Sequence, residues 1–326
     1  MIQKISLANL PTRIDKLERL SEDWGINLFI KRDDQTGSEL SGNKIRKLEY
    51  LLKHAIDNNY DTLITTGGIQ SNHCRATAVA ATMLGLKCEL LLRSGDNPKI
   101  EGNYFIDRLL GAGINFCNAD EYRDSRDEIM NKIGERLFKE RGSKCFIIPE
   151  GASNAMGSLG YYEAMTEISE QEKLIGTVFD TVVVAVGSGG TYSGLCTANK
   201  ELKLGKRVLG FAVASDREYF TNKIHNINVE AGEIAGLKSV FTEDDIEIND
   251  KYIGIGYALS RPEELAFIRH IASREALILD PVYTGKAMYG LYNEIKEGKV
   301  PCGSNVLFIH TGGLFGLFPK QDQFVF

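Results

Sequence analysis

The run Thr181-Val-Val-Val-Ala-Val186, followed at once by Gly187-Ser-Gly-Gly-Thr191, constrains this chain more than any other stretch. Apolar and β-branched residues without a charge match a strand covered on both faces, as strands inside parallel sheets are. The glycines stop that strand, and a helical pattern restarts near Tyr192. The same order of strand, glycine turn and helix recurs at Gly67 and at Gly312. Short apolar strands alternating with amphipathic helices predict an α/β protein with mostly parallel sheets. In such sheets ligands bind beyond the carboxyl ends of the strands, where these turns lie.

The periodicity predicts helices over residues 14–24, 44–58, 71–84, 102–110, 125–140 and 262–273, with further helices opened by residues 151–157 and near Tyr192. Strands are predicted at 27–32, 62–66, 88–92, 115–117, 145–148, 181–186, 208–214, 276–279 and 306–310. Residues 216–250 read as acidic and irregular. No internal repeat, flexible linker or low-complexity tract stands out.

With 326 residues, 43% hydrophobic and 25% charged, the chain has the make-up of an ordinary globular protein of about two domains. A net charge of -6 argues against a nucleic-acid or anionic-membrane partner. No apolar run reaches the ~20 residues of a membrane span. The start, Met-Ile-Gln-Lys-Ile, has no signal-peptide core, so a cytoplasmic protein is expected. Six scattered cysteines form no metal or redox spacing, and no metal is expected.

Ser41-Gly-Asn-Lys44 puts a lysine just after turn-forming residues and just before Ile45, Leu48, Leu51 and Leu52 at helical spacing. Ser and Asn favour caps, so Lys44 is predicted in a first helical turn. The positive end of the helix dipole disfavours an ammonium there, which suits a neutral amine attacking a carbonyl. An ordinary charged helix start, shared with Arg46 and Lys47, explains the spacing equally well. Gly187, Ser188, Gly189, Gly190 and Thr191 can turn backbone N–H groups towards a phosphate at a helix start. The same residues also fit a plain strand–helix connection; they match neither a Walker loop nor GxGxxG. Gln70, Ser71, Asn72 and His73 open a helix directly after a strand, suited to a carboxylate, although capping alone accounts for one of them. Tyr257 and Tyr283 are candidate acid–base groups, or core tyrosines with satisfied hydroxyls. Thr311, at the end of the last strand, is placed to exchange a hydrogen bond with a buried heteroatom.

Seven segments in order resemble one family: Ile30-Lys-Arg-Asp-Asp, Ser41-Gly-Asn-Lys-Ile-Arg-Lys-Leu-Glu, Gly67-Gly-Ile-Gln-Ser-Asn-His-Cys-Arg-Ala-Thr-Ala, Ser153-Asn-Ala-Met-Gly, Gly187-Ser-Gly-Gly-Thr, Asp280-Pro-Val-Tyr-Thr-Gly-Lys and His310-Thr-Gly-Gly. The family is that of the D-cysteine desulfhydrases and 1-aminocyclopropane-1-carboxylate (ACC) deaminases, and the plant-type desulfhydrases resemble the chain most. The resemblance implies a pyridoxal-phosphate enzyme of the tryptophan-synthase-β-like fold, with two open twisted sheets and flanking helices, usually a homodimer acting on a small amino acid. It implies a larger domain over 1–46 and 160–326 and a smaller one over 47–159. It places pyridoxal 5'-phosphate on Lys44, Asn72 near the ring hydroxyl, the phosphate in residues 187–191 with Lys47 in reach, and Thr311 near the ring. Gln70, Ser71 and His73 would hold the substrate carboxylate, with Tyr257 and Tyr283 facing the substrate as catalytic groups beside Lys44 and Ser71.

ACC deaminases carry a glutamate where this chain has Thr284, which gives less support for a charged ring, and a hydroxyl from Thr311 suits a neutral one. The resemblance thus points to α,β-elimination of D-cysteine rather than ring opening of ACC. Tyr257-Ala-Leu-Ser-Arg-Pro departs from the Gly-Tyr-Gly-x-Pro-Asn of the bacterial enzymes, which leaves L-cysteine and cysteate open. A non-catalytic binding module is opposed by the intact Lys44 and glycine loops. A dinucleotide enzyme is opposed by the missing GxGxxG.

Overall fold

The computed structural model describes residues 2–326. Ten strands form two sheets: β1 (Ile14–Lys16), β2 (Asn27–Lys31), β3 (Thr62–Gly68), β4 (Lys87–Arg93), β5 (Gly113–Cys117), β6 (Cys145–Ile147), β7 (Thr181–Val186), β8 (Arg207–Ala212), β9 (Glu247–Asn249) and β10 (Asn305–Ile309). The larger sheet runs β1-β2-β10-β7-β8-β9 and the smaller β5-β4-β3-β6. Every pairing is parallel except β1 with β2. Strand β7 is buried along its whole length, as its composition requires. Its residues alternate between two cores, Val183 and Ala185 on one face and Val182, Val184 and Val186 on the other.

Three sequence expectations give way. Residues 14–16 form an edge strand pairing Ile14 with Lys31 and Lys16 with Phe29, so the helix begins only at Glu18. Ladder bonds to β2 outweigh the helical spacing of Ile14, Leu17 and Leu20. The acidic stretch after residue 216 contains a 19-residue helix, Arg217–Ala235. Asp216 caps it by accepting from Tyr219 N at 2.9 Å, and Phe220, Ile224, Ile227 and Ala231 line its buried side. Residues 276–279 are not a strand. Leu277 and Leu279 fill the core, but β1 and β9 already hold both edges of the larger sheet. The Ile278 carbonyl pairs instead with His310 Nε2 at 3.0 Å.

The helix carrying Lys44, Lys44–Asp57, is tied down by buried charge. Arg46 donates from Nε and Nη2 to Asp33 at 2.9 Å each, and from Nη1 and Nη2 to Glu167 at 2.9 and 3.0 Å. Lys31 adds a bond to Glu167, and Tyr161 donates to Asp33 at 2.5 Å. Burial pushes the Asp33 carboxyl up, but Arg46 and Lys31 outweigh it and hold the group below the usual carboxylate range. Removing one partner of such a buried set typically costs about 3–5 kcal/mol. The lysine-bearing helix is therefore pinned both to the end of β2 and to helix Ala155–Ile175.

Backbones approach closely where the last strand meets the lysine loop. A Cβ on Gly42, at φ +110°, would lie 2.7 Å from Thr311 O. Only glycine fits there, and the contact brings Thr311 beside Asn43 and Lys44.

Candidate active site

The carboxyl ends of β3, β7 and β10 converge with the start of helix Lys44–Asp57 around one cavity of about 710 Å³, open mouth included. Asn43 and Lys44 form one wall. Gly67, Gly68, Ser71, Asn72 and His73 form the second. The turn after β7 forms the third, and Tyr257, Tyr283 and Thr311 close it.

Lys44 is the first residue of its helix, as predicted, but no side chain caps that helix. The Asn43 amide is used otherwise: its Oδ1 accepts from Lys44 Nζ at 2.8 Å and its Nδ2 donates to Thr191 Oγ1 at 2.9 Å. Burial pushes the Lys44 amine down to about 8, with Asp280 opposing and Arg75 adding to the shift. Its Nζ stands 5.7 Å from the ring centre of Tyr283. The Tyr283 and Tyr257 hydroxyls lie 2.5 Å apart. Burial raises both phenols, so the pair is neutral and shares its protons.

The β7 turn supplies Gly187, Ser188, Gly189 and Thr191 to the cavity, whereas Gly190 packs behind it against Ser153. Gly189, at φ +92°, is the N-cap of helix Gly190–Glu201 and offers no side-chain acceptor to the helix's first N–H groups. Ser153 Oγ lies 2.7 Å from Ser188 Oγ and accepts from Gly190 N at 3.2 Å. Lys47 does not line the cavity; its buried Nζ donates to Gly151 O and, at 3.1 Å, to Ser153 Oγ. Burial, with Lys44 and Lys223 nearby, holds that amine well below its usual value. Lys47 thus reaches the glycine turn through Ser153, a residue the sequence offered only as part of a motif.

Ser71 caps helix Asn72–Met83, accepting from Cys74 N at 3.2 Å. The Asn72 Oδ1 accepts from Asn103 at 3.0 Å. His73 Nε2 is 2.7 Å from Thr65 Oγ1, whose own proton goes to Ile148 O at 2.8 Å. The ring therefore donates through Nε2, and its buried Nδ1 has no partner. Burial and the two lysines keep it neutral. Gln70 does not line the cavity. Its amide is spent on the next segment, donating to Glu101 O at 3.1 Å and accepting from Asn103 N at 2.9 Å. Thr284 is also absent from the cavity: its hydroxyl closes onto Asp280. The Thr311 side chain remains at the wall.

The model for the family described as "Pyridoxal-phosphate dependent enzyme" matches residues 5–312. The chain belongs to that family. A bifunctional D-cysteine desulfhydrase/1-aminocyclopropane-1-carboxylate deaminase of Arabidopsis thaliana is 45% identical, over 98% of this chain and 80% of that protein. A D-cysteine desulfhydrase of Klebsiella pneumoniae is 36% identical, over 97% and 95%. Among solved structures, an ACC deaminase homologue at 39% identity superposes with a TM-score of 0.90 over 98% of this chain and 94% of that one. Tomato threonine deaminase isoform 2, at 19% identity and TM-score 0.66, shares the fold.

Like its family, this chain uses pyridoxal phosphate, and the cavity fits that group. It holds an amine with a depressed pKa, a helix start whose N-cap glycine leaves N–H groups for a phosphate, and a buried histidine nitrogen without a partner. Among the described residues no group of His, Cys, Asp and Glu is arranged for a metal ion, and no helix is long and apolar enough to cross a membrane.

Proposed function

We propose that this pyridoxal-phosphate enzyme eliminates the β-substituent of D-cysteine, giving pyruvate, ammonia and hydrogen sulfide. Bound on Lys44, the cofactor supplies the electron sink for charge at the substrate α-carbon. Gly187, Ser188, Gly189 and Thr191 would hold its phosphate, braced from behind by Ser153 and Lys47. Asn72 and Thr311, both on the cavity wall, would meet the ring hydroxyl and the ring. Ser71 and the first turn of its helix hold the substrate carboxylate. Asn43 orients Lys44 Nζ, which would be free once the substrate amine has taken its place on the cofactor, and at an amine pKa of about 8 a usable fraction is neutral near pH 7 to take the α-proton. Tyr283 and Tyr257 exchange a proton at the side-chain end through their 2.5 Å contact.

One observation carries the choice of elimination. Position 284 is sealed onto Asp280, so no side chain there supplies charge to the cofactor ring, and Thr311 offers only a hydroxyl. A neutral ring suffices where a good leaving group departs after proton loss. The D-cysteine desulfhydrase names of the relatives support the same choice. Ring opening of ACC is the second reading, favoured by the bifunctional name of the Arabidopsis relative. Pyruvate release from D-cysteine, L-cysteine and cysteate, with 2-oxobutanoate release from ACC, tests both. Faster turnover of ACC than of D-cysteine overturns the first.

We place the enzyme in the cytoplasm as a homodimer. Ile255, Leu259 and Phe318 are 62, 52 and 56% exposed, and their segments meet where Lys320 donates to Ala258 O at 3.2 Å. Such apolar clusters suit a subunit interface. Light scattering on the eluted protein gives the mass that decides this.

A further inference from the structure

Arg93 is the last residue of β4, in register with Gly68 of β3, and so stands on the carboxyl edge of the smaller sheet. Its guanidinium has an aromatic face on each of two neighbours, with Cζ 5.1 Å from the ring centre of Tyr122 and 5.7 Å from that of Tyr257. Among the described residues it makes no hydrogen bond or ion pair. The other arginines near the site are spent: Arg46 on Asp33 and Glu167, Arg75 on Asn103, Glu39 O and Ser41 O. A planar cation held between rings, with its donors unused, is organised to receive an anion. Arg93 is not itself on the cavity wall but backs directly onto two residues that are: a Cβ on Gly68 would meet Arg93 Nη2 at 3.8 Å, and the Tyr257 ring lies against the guanidinium. The acidic residue on the cavity wall, Glu150, is engaged elsewhere, accepting from Tyr122 at 2.7 Å with Arg126 at 3.7 Å.

Lys44 and Arg93 flank the tyrosine pair. Lys44 stands over Tyr283 and Arg93 over Tyr257, with the two hydroxyls joined between them. The α-carbon must lie at the Lys44 end, where its proton is taken. The substrate carboxylate has donors at the Ser71 helix start. What remains for the Arg93 end is the side chain.

We propose that Arg93 selects the β-substituent, receiving the negative charge that collects on it as it leaves. The pocket then favours amino acids whose β-substituent departs as an anion, hydrosulfide first among them. The inference rests on the elimination reading above. The α-proton goes to Lys44 Nζ, the carbon–sulfur bond breaks with its electron pair on sulfur, and hydrosulfide pairs with the guanidinium. One water then completes pyruvate and ammonia.

The test compares holoenzyme carrying Arg93→Gln or Arg93→Lys with wild type on D-cysteine and on β-chloro-D-alanine. Chloride is a far weaker base than hydrosulfide and needs less stabilisation as it leaves. Loss of one charged hydrogen-bond donor is worth on the order of ten- to hundredfold. Arg93→Gln should therefore lower kcat/KM for D-cysteine about tenfold or more beyond its effect on β-chloro-D-alanine. Arg93→Lys should regain part of that gap, with cofactor occupancy and absorbance equal to wild type. Equal losses on the two substrates, or no loss on either, overturn the inference. If wild type eliminates from neither compound, the elimination reading falls and this inference with it. If wild type eliminates from both and the ratio stays put, this inference alone falls.

Discussion

Thr284 Oγ1 donates to Asp280 Oδ1 at 2.7 Å and accepts from Asp280 N at 2.9 Å, while Asp280 Oδ1 also takes Thr284 N at 2.8 Å. The two residues form a closed box at the start of helix Thr284–Lys296. The hydroxyl is fully buried and has nothing left for a cofactor. Thr284→Val leaves Asp280 N without its acceptor and should cost about 1–3 kcal/mol. That lowers the melting temperature by roughly 2–6 °C, with the rate on D-cysteine changed far less. Thr284→Glu would set one carboxylate against another in this box, so it should destabilise the fold rather than confer ring opening of ACC. A Thr284→Glu enzyme as stable as wild type would show that the box opens freely.

Lys44→Ala should lower turnover a hundredfold or more. Borohydride reduction of the wild-type holoenzyme should leave the cofactor on Lys44 in peptide maps. Uptake of pyridoxal phosphate by the apoenzyme should accelerate as pH rises through about 8, because only the neutral amine attacks and its proton is lost there rather than near the ordinary lysine value. Stopped-flow absorbance between pH 6 and pH 10 follows this. A midpoint above about pH 10 would mean that burial does not act on Lys44 as described.

Asn43→Ala breaks both the bond to Lys44 Nζ and the bond to Thr191. The fold should persist while kcat on D-cysteine drops by roughly tenfold, the worth of one charge-assisted bond. Steady-state kinetics with a melting curve separates the two effects, and an unchanged kcat removes Asn43 from the machinery.

Gly189→Asp should weaken the cofactor more than it slows the chemistry. Its φ of +92° is foreign to side chains, a Cβ there would lie 3.2 Å from Ile224 Cγ1, and a carboxylate would oppose the phosphate. Titration of the apoenzyme should show the dissociation constant raised at least about tenfold. Equal affinity in the folded variant would take the phosphate away from this turn.

Much of this arrangement was legible beforehand because single residues announce it. Uncharged runs rich in β-branched residues and ending in glycine locate β3 and β7, and a lysine after Ser-Gly-Asn locates the reactive amine. Composition concealed helix Arg217–Ala235: its charged residues face solvent, and only the spacing from Phe220 to Ala231 betrays a buried side. Long-range hydrogen bonding was invisible. Gln70 looks like a ligand in Gln-Ser-Asn-His until Asn103 takes its carbonyl oxygen, and Asn43 looks like a cap until Thr191 appears across the cavity. Arg93 sits in no motif at all. It matters only because the fold lays Tyr122 and Tyr257 against it.

Asp107 gives a stability test that is independent of catalysis. It is buried, neither carboxylate oxygen has a hydrogen-bond partner, and burial holds the group up to about 8 despite the pull of Arg75. Arg75 spends its donors on Asn103 and on the carbonyls of Glu39 and Ser41, so the two do not make a closed ion pair. The unfolded chain gives up the Asp107 proton near the ordinary carboxyl value of 3.8, whereas the folded protein keeps it until about 8. Its contribution is thus fully present below pH 4 and is lost as pH rises through about 8. Asp107→Asn, neutral at every pH, should melt progressively higher relative to wild type from pH 4 to pH 8, with the gap levelling off above. A constant gap across that range would mean that the carboxyl titrates normally.

The place of β10 has a consequence for how the protein is made. The strand lies between β2 and β7, in the middle of the larger sheet, although it comes from residues 305–309. Until the ribosome has released that stretch, β2 and β7 each present a bare parallel edge, and the Thr311 wall beside Lys44 does not exist. Chains grow at roughly 5–20 residues per second, so the nascent molecule carries two unpaired apolar edges for many seconds and cannot yet close its cofactor pocket. Cofactor capture must be a late event, after translation has passed Thr311. Nascent chains stalled before Asn305 should be clients of chaperones and proteases rather than slow enzymes.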